Sequence, residues 1–171
     1  MMKHLLVFAL APCVALLASV AELPVSAQDV RPAAANSCLS IPACAFLEQH
    51  NTYVYYRHLN LTFSSGSGNY YAPVYLPHGS VIRKIRLICK DEGDKNILVV
   101  LDRLDSAQDR VTLSSFSSSG TGSGWKTFNT TAVSPRYVHN FKYSYLLRVN
   151  LPGTYAQGYY LGQVKIFYDA P

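Results

Sequence analysis

The chain has 171 residues, 49% of them hydrophobic and only 15% charged. That balance excludes an intrinsically disordered chain, and the length suits one domain with a full core rather than two. The net charge of +5 is modest and its cations are scattered; no recognition motif accompanies them, so nucleic acid is not an expected partner.

The N-terminus carries a three-part export pattern. Lys3 gives a short positive region, residues 5–21 are apolar, and Val25-Ser26-Ala27 places small residues before Gln28. This predicts a signal peptide over 1–27. Pro12 counts against a retained anchor, and Pro12 before Cys13 against a lipid attachment site. The expected location is therefore secreted, extracellular or periplasmic, with no membrane span after processing. Removing 1–27 takes Lys3 and Glu22 and leaves the charge at +5. Residues 28–37 are polar and Ala-rich and read as a mobile leader; residues 38–171 read as a single domain.

Strand-like runs follow in chain order. Residues 41–46 come first, held to an edge or a strand start by Pro42. Residues 52–63 alternate, with Tyr53, Tyr55, Arg57, Leu59, Leu61 and Phe63 on one face. After a Ser/Gly loop come 70–76, stopped by Pro77-His78-Gly79, then 80–90 with Val81, Ile85, Leu87 and Cys89 in phase. Residues 97–104 are almost continuously apolar; 110–116 follow a polar turn. A loop at 117–124 leads to 125–132, and Ser134-Pro135-Arg136 breaks that run. Residues 143–151 alternate strictly, Pro152-Gly153 turns the chain, and 159–168 close it. Tyr is used 13 times against 7 Phe and 1 Trp, in keeping with strands. Eight or nine strands with frequent turns and no helical pattern predict an all-β fold: an antiparallel, jelly-roll-like β-sandwich.

Several phrases carry a resemblance. They are Cys38-Leu39-Ser40-Ile41-Pro42-Ala43 with Phe46, Tyr71-Ala72-Pro73-Val74-Tyr75-Leu76-Pro77-His78-Gly79, Cys89-Lys90-Asp91, and Val138-His139-Asn140 with Tyr143 and Tyr145. Asn96 with Leu98, Val100, Leu101 and Arg103 fits too, as do Ser118-Ser119-Gly120 and Val164-Lys165-Ile166-Phe167-Tyr168. Together they resemble a group of secreted bacterial β-sandwich domains without an assigned activity. The Ala-Pro-Val-x-Leu-Pro-x-Gly phrase at residues 72–79 is the most specific. Where such relatives have Asp before the Asn, this chain has His139. The resemblance implies a fold and an exported location, not a mechanism.

Three cysteines follow residue 27: Cys38, Cys44 and Cys89. Export permits disulfides, and the odd number leaves one thiol over or pairs it between chains. In a straight strand Cys38 and Cys44 would stand roughly 20 Å apart, beyond the reach of about 7 Å that a disulfide allows. They join only if Ser40-Ile41-Pro42 turns; otherwise one of them pairs with Cys89. The resemblance puts Cys38 in the first strand and so makes it the expected partner of Cys89, with Cys44 as the alternative.

Catalytic patterns are weak. Residues 120–127 end like a phosphate-binding loop, but Trp125 replaces the Gly before Lys126 and a strand-like run follows. No Gly-x-Ser-x-Gly elbow is present, and the carboxylates cluster in turns. No cofactor is expected. Among metals, calcium fits best, at Asp91, Asp94 and Asn96, although a plain hairpin turn explains the same residues and Lys95 opposes a cation. Asn60-Leu61-Thr62 and Asn129-Thr130-Thr131 match glycosylation sequons.

With Val81, Ile85, Leu87 and Cys89 turned inward, Ile82, Lys84, Arg86, Ile88 and Lys90 point outward. A face mixing Ile with cations suits a contact surface, and Tyr53 and Tyr55 are expected on a strand beside it. Lys84, Arg86, Ile88, Tyr53 and Tyr55 thus form the expected contact residues. The first functional reading is a non-catalytic secreted structural or assembly module whose partner is itself, as homo-oligomer or polymer. The second is a carbohydrate-binding module that takes an extracellular glycan on outward Tyr side chains and Trp125. The third is a small secreted hydrolase.

Overall fold

A computed structural model of the chain describes residues 36–49, 55–58, 61–64, 67–120 and 122–171; the side chains of 55–58, 61–64 and 155 lie outside the description. The chain divides into two units, Met1–Arg31 and Pro32–Pro171, and every described residue belongs to the second. The expected signal peptide, most of the leader, Tyr53 and the Asn60 sequon fall outside the described residues. No helix among those described is long and apolar enough to cross a membrane.

Among the described residues there are eleven strands: β1 (Asn36–Pro42), β2 (Leu47–Glu48), β3 (Tyr55–His58), β4 (Leu61–Ser64), β5 (Gly68–Val74), β6 (Val81–Asp91), β7 (Leu98–Leu104), β8 (Arg110–Ser117), β9 (Trp125–Thr130), β10 (Ser144–Leu151) and β11 (Tyr159–Asp169). One sheet runs β3-β4-β11-β6-β9, with β1 also paired to β11; the other runs β2-β5-β10-β7-β8. From β4 onward the chain changes sheet at every connection except the β7–β8 hairpin, which makes the jelly-roll-like sandwich that the alternating sequence predicts.

The two extra strands have a simple origin. The run at 52–63 is a hairpin, with Tyr55 opposite Ser64 and His58 opposite Leu61. The register pairs odd-numbered positions of β3 with even-numbered positions of β4, so the single alternating face expected over residues 53–63 does not continue through the turn. The run at 41–46 is the end of β1 followed by a 3-10 turn at Ala43–Ala45, and β1 begins at Asn36, inside the expected leader.

The core lies between the sheets. β6 contributes Ile85, Leu87 and Cys89, β11 contributes Leu161, Val164 and Ile166, and β10 contributes Tyr145, Leu147, Val149 and Leu151 against Val99 and Leu101 of β7. One phase differs from expectation. Lys84 pairs with Phe167 but Ile82 with Tyr168, so Arg83 is the extra residue of a β-bulge. The bulge reverses the alternation, and Ile82 rather than Val81 is buried, at 1% exposure.

Candidate functional site

Two loops close one end of the sandwich. The first, residues 75–80, leaves β5; the second, residues 131–143, leads into β10. They are zipped together: Gly79 N–H donates to Val138 O at 2.9 Å, Val138 N–H to Ser80 O at 2.9 Å, and Ile82 N–H to Arg136 O at 2.9 Å. Asn140 adds two bonds, from its Nδ2 to Leu76 O at 2.7 Å and from its N–H to His78 Nδ1 at 3.2 Å. Tyr145 Oη accepts from His139 N–H at 2.8 Å. Polar groups that would otherwise compete with a ligand are thus engaged within the scaffold, and the two loops form a prearranged platform.

The platform is aromatic and open. His78 stands 4.4 Å from Phe141 and 5.1 Å from His139, centroid to centroid. His139 also faces Tyr143 edge-on at 6.3 Å. Arg103 lies 4.3 Å over the Tyr143 ring and Lys142 5.3 Å from it. Tyr75 is 81% exposed and Phe141 87%. Tyr75 lines a cavity of about 370 Å³ with Pro73, Val74, Leu76, Asn140, Tyr143, Ser144 and Tyr145, and Phe141 lines a neighbouring one of about 250 Å³ that shares Asn140, Tyr143 and Ser144 with it. Apolar ring faces beside amide and hydroxyl groups fit a ligand with both apolar and hydroxylated faces.

Two of the phrases quoted from the sequence, residues 71–79 and 138–145, meet here. Phe141 is the residue that sequence reading missed. Its signal was an aromatic set between Asn140 and Lys142 in a loop, where no strand face requires one.

The other expected site residues do not assemble as predicted. Cys38, Cys44 and Cys89 are free, the first two exposed and the third buried. The expected Cys38–Cys89 bridge is corrected by the register. Cys38 stands opposite Phe167, and Phe167 opposite Lys84. Cys38 is therefore two strands from β6, about 10 Å, and Cys89 is a further 16 Å or so along that strand, whereas a disulfide spans about 7 Å at most. Cys44 lies past the end of the straight β1, in the 3-10 turn. Burial pushes the Cys89 thiol up to about 12, with Asp91 adding to the effect.

The expected calcium residues diverge. Asp91 is fully buried and accepts a short hydrogen bond from Ser118 Oγ, while Asp94 and Asn96 are exposed. Asp94 Oδ1 accepts from Tyr159 Oη at 3.3 Å. Among the described residues no group of three or more His, Cys, Asp or Glu is placed to hold a metal. The loop at 117–124 has no free lysine, since Lys126 Nζ donates to Gly120 O at 3.0 Å and Asp91 O at 3.2 Å.

Of the expected contact residues, Lys84, Arg86 and Ile88 do share the outer face of β6. Tyr55 does not lie beside them: its strand, β3, is separated from β6 by β4 and β11. Tyr55 is therefore not on a strand adjoining Lys84, Arg86 and Ile88, and Tyr53 lies outside the described residues.

No protein-family model matches the chain, and no curated protein sequence matches it. Solved structures do. The C-terminal CBM6 of LamC, a marine laminarinase from Zobellia galactanivorans, is similar at TM-score 0.50 and 14% identity, covering 77% of this chain and 99% of that one. The GH26-CBM35 β-(1,4)-mannanase of Podospora anserina is similar at TM-score 0.47 and 11% identity, covering 80% and 29%. A point mutant of CBM29-2, from family 29 of the carbohydrate-binding modules, is similar at 0.40 and 9%, covering 79% and 83%. The first of these likenesses is one of fold: a two-sheet β-sandwich of the kind that carbohydrate-binding modules use.

Proposed function

We propose that this chain is an exported, non-catalytic module that binds a glycan at the aromatic end of its sandwich. One observation carries the reading: Tyr75 and Phe141, at 81% and 87% exposure, line two neighbouring cavities that share Asn140, Tyr143 and Ser144 on a hydrogen-bonded loop platform. Large aromatic side chains left in water at a rigid concave site are the common means of stacking on the apolar face of a ring-shaped ligand. The fold of the LamC module supports the same class of function, and laminarin is the first probe for that reason. Self-association, the first expectation from sequence, gains no support, because β3, the strand of Tyr55, is separated from β6 by β4 and β11 rather than lying beside it.

Titration calorimetry against laminarin and a panel of neutral oligosaccharides tests the proposal. Tyr75→Ala and Phe141→Ala should each weaken binding by about tenfold or more, as truncation of a central aromatic anchor does, with an unchanged melting temperature. Binding that survives both substitutions, or a panel with no ligand, refutes it.

A further inference from the structure

The outer face of the six-stranded sheet has a composition of its own. Its register sets Lys84 beside Phe167, Arg86 between Lys165 and Asn129, Ile88 between Gln163 and Thr127, and Lys90 beside Trp125. Ser40 of β1 extends the second row, opposite Lys165, and donates to Gln163 Oε1 at 2.9 Å. Four cations thus share one face. Among the described residues these rows hold no carboxylate. Glu92, 3.0 Å from Lys90, and Asp169, paired to Arg83, stand only at the two ends.

Three of the four cations, Lys84, Arg86 and Lys90, are held rather than loose. Lys84 Nζ lies 4.4 Å and the Arg86 guanidinium 5.0 Å from the Phe167 ring centroid, and Lys90 Nζ 5.2 Å from that of Tyr160. Arg86 Nε also donates to Asn129 Oδ1 at 2.9 Å. Such contacts fix the stems along the sheet and lower the entropy lost when an anion is bound. From Lys84 to Lys90 the row runs roughly 20 Å, a length that suits a polymer better than a small ion.

We infer that this face binds a hydroxyl-rich polyanion, a uronate- or sulfate-bearing polysaccharide. Charge complementarity selects the anion. The neutral groups select the class: Ser40, Gln163, Thr127 and Asn129 stand between the cations, where hydroxyls of a saccharide would meet them. A membrane would instead require several protruding apolar side chains, and in these rows Trp125 alone protrudes, at 53% exposure, while Ile88 is half-buried in the sheet. Single-stranded nucleic acid would need a succession of open ring faces, but Phe167 is already covered by two cations and Trp125 stands alone at the Lys90 end. The inference does not depend on the aromatic end.

The test uses the chain without its signal segment and four probes: polygalacturonate, chondroitin sulfate, neutral dextran, and vesicles of anionic phospholipid, with single-stranded DNA as a further competitor. At least one of the two acidic polysaccharides should bind, weaken steeply with added salt, and outcompete dextran, vesicles and DNA. Lys165→Glu, which leaves the Phe167 stack in place, should cost about tenfold in that affinity, and Arg86→Ser with Lys165→Glu more. Tyr75→Ala should leave it unchanged. Equal or tighter binding to vesicles or DNA overturns the polysaccharide assignment. Polysaccharide binding that ignores the Lys165 and Arg86 changes but falls with Tyr75→Ala overturns the site. No binding to either acidic polysaccharide overturns the inference while leaving the aromatic end untouched.

Discussion

Tyr159 shows how single residues hold the turn between β6 and β7. Its hydroxyl accepts from Lys95 N–H at 2.8 Å and donates to Asp94 Oδ1 at 3.3 Å, so a group expected to bind calcium is instead part of a hydrogen-bonded brace. The ring fits only because two glycines flank it. A Cβ on Gly93 would stand 2.0 Å from the Tyr159 oxygen, and one on Gly153 2.6 Å from the ring. Gly93→Ala should therefore destabilise the domain by about 1–3 kcal/mol or more, the cost of overpacking, read as a lower urea midpoint. Ser118 is a second such brace. It donates to the buried Asp91 carboxylate and accepts from Ile97 N–H at 2.7 Å. Ser118→Ala strands a buried carboxylate and a buried amide together, and should cost about 3 kcal/mol. A loss below the error of the urea titration would mean that the two groups find other partners.

At the scale of elements, the later strands were legible because their alternation is strict. β10 shows Tyr145, Leu147, Val149 and Leu151 buried in phase, as its sequence reads. What sequence could not give is pairing. Nothing in the run from Tyr55 to Phe63 marks a reversal, and nothing in β6 marks the bulge at Arg83. Bulges arise where a partner strand imposes them, and the partner, β11, is more than 70 residues away in the chain. The same limit applied to the cysteines, whose separation depends on β11 standing between β1 and β6. The site was half legible: its two loop phrases were visible, but their meeting was not, because it rests on backbone bonds between residues 79–82 and 136–138. The bulge has a direct test. Ile82→Ala should cost about 2–5 kcal/mol as a core truncation, and Val81→Ala distinctly less; the reverse order would restore the simple alternation. Thiol chemistry tests the strand order: in the folded protein Cys38 and Cys44 should react with a blocking reagent while Cys89 stays protected. A Cys89 that reacts as fast as the other two would place it outside the core.

For the whole molecule, the buried thiol links folding to alkaline pH. Cys89 has an ordinary value of 9.0 and is pushed up to about 12, first by burial and then by the Asp91 charge. The folded chain therefore keeps a proton that the unfolded chain gives up. Stability from this source is fully present below about pH 9 and is lost as pH rises toward 12, at about 1.4 kcal/mol per pH unit within that window. Tyr159, also raised mainly by burial, acts with the same sign once the unfolded phenol begins to ionise. The loss should appear as a melting temperature that is flat near neutrality and falls steadily above pH 9. Cys89→Ala removes one of the two groups. It should lower the neutral melting temperature slightly, through a small cavity in the β6–β11 core, yet flatten the alkaline fall, so that the curves of the two proteins converge as pH rises. Melting curves recorded at intervals from neutral pH to pH 11 decide the matter. Parallel curves would mean that Cys89 ionises in the folded state as readily as in the unfolded one, and that the core around it admits water.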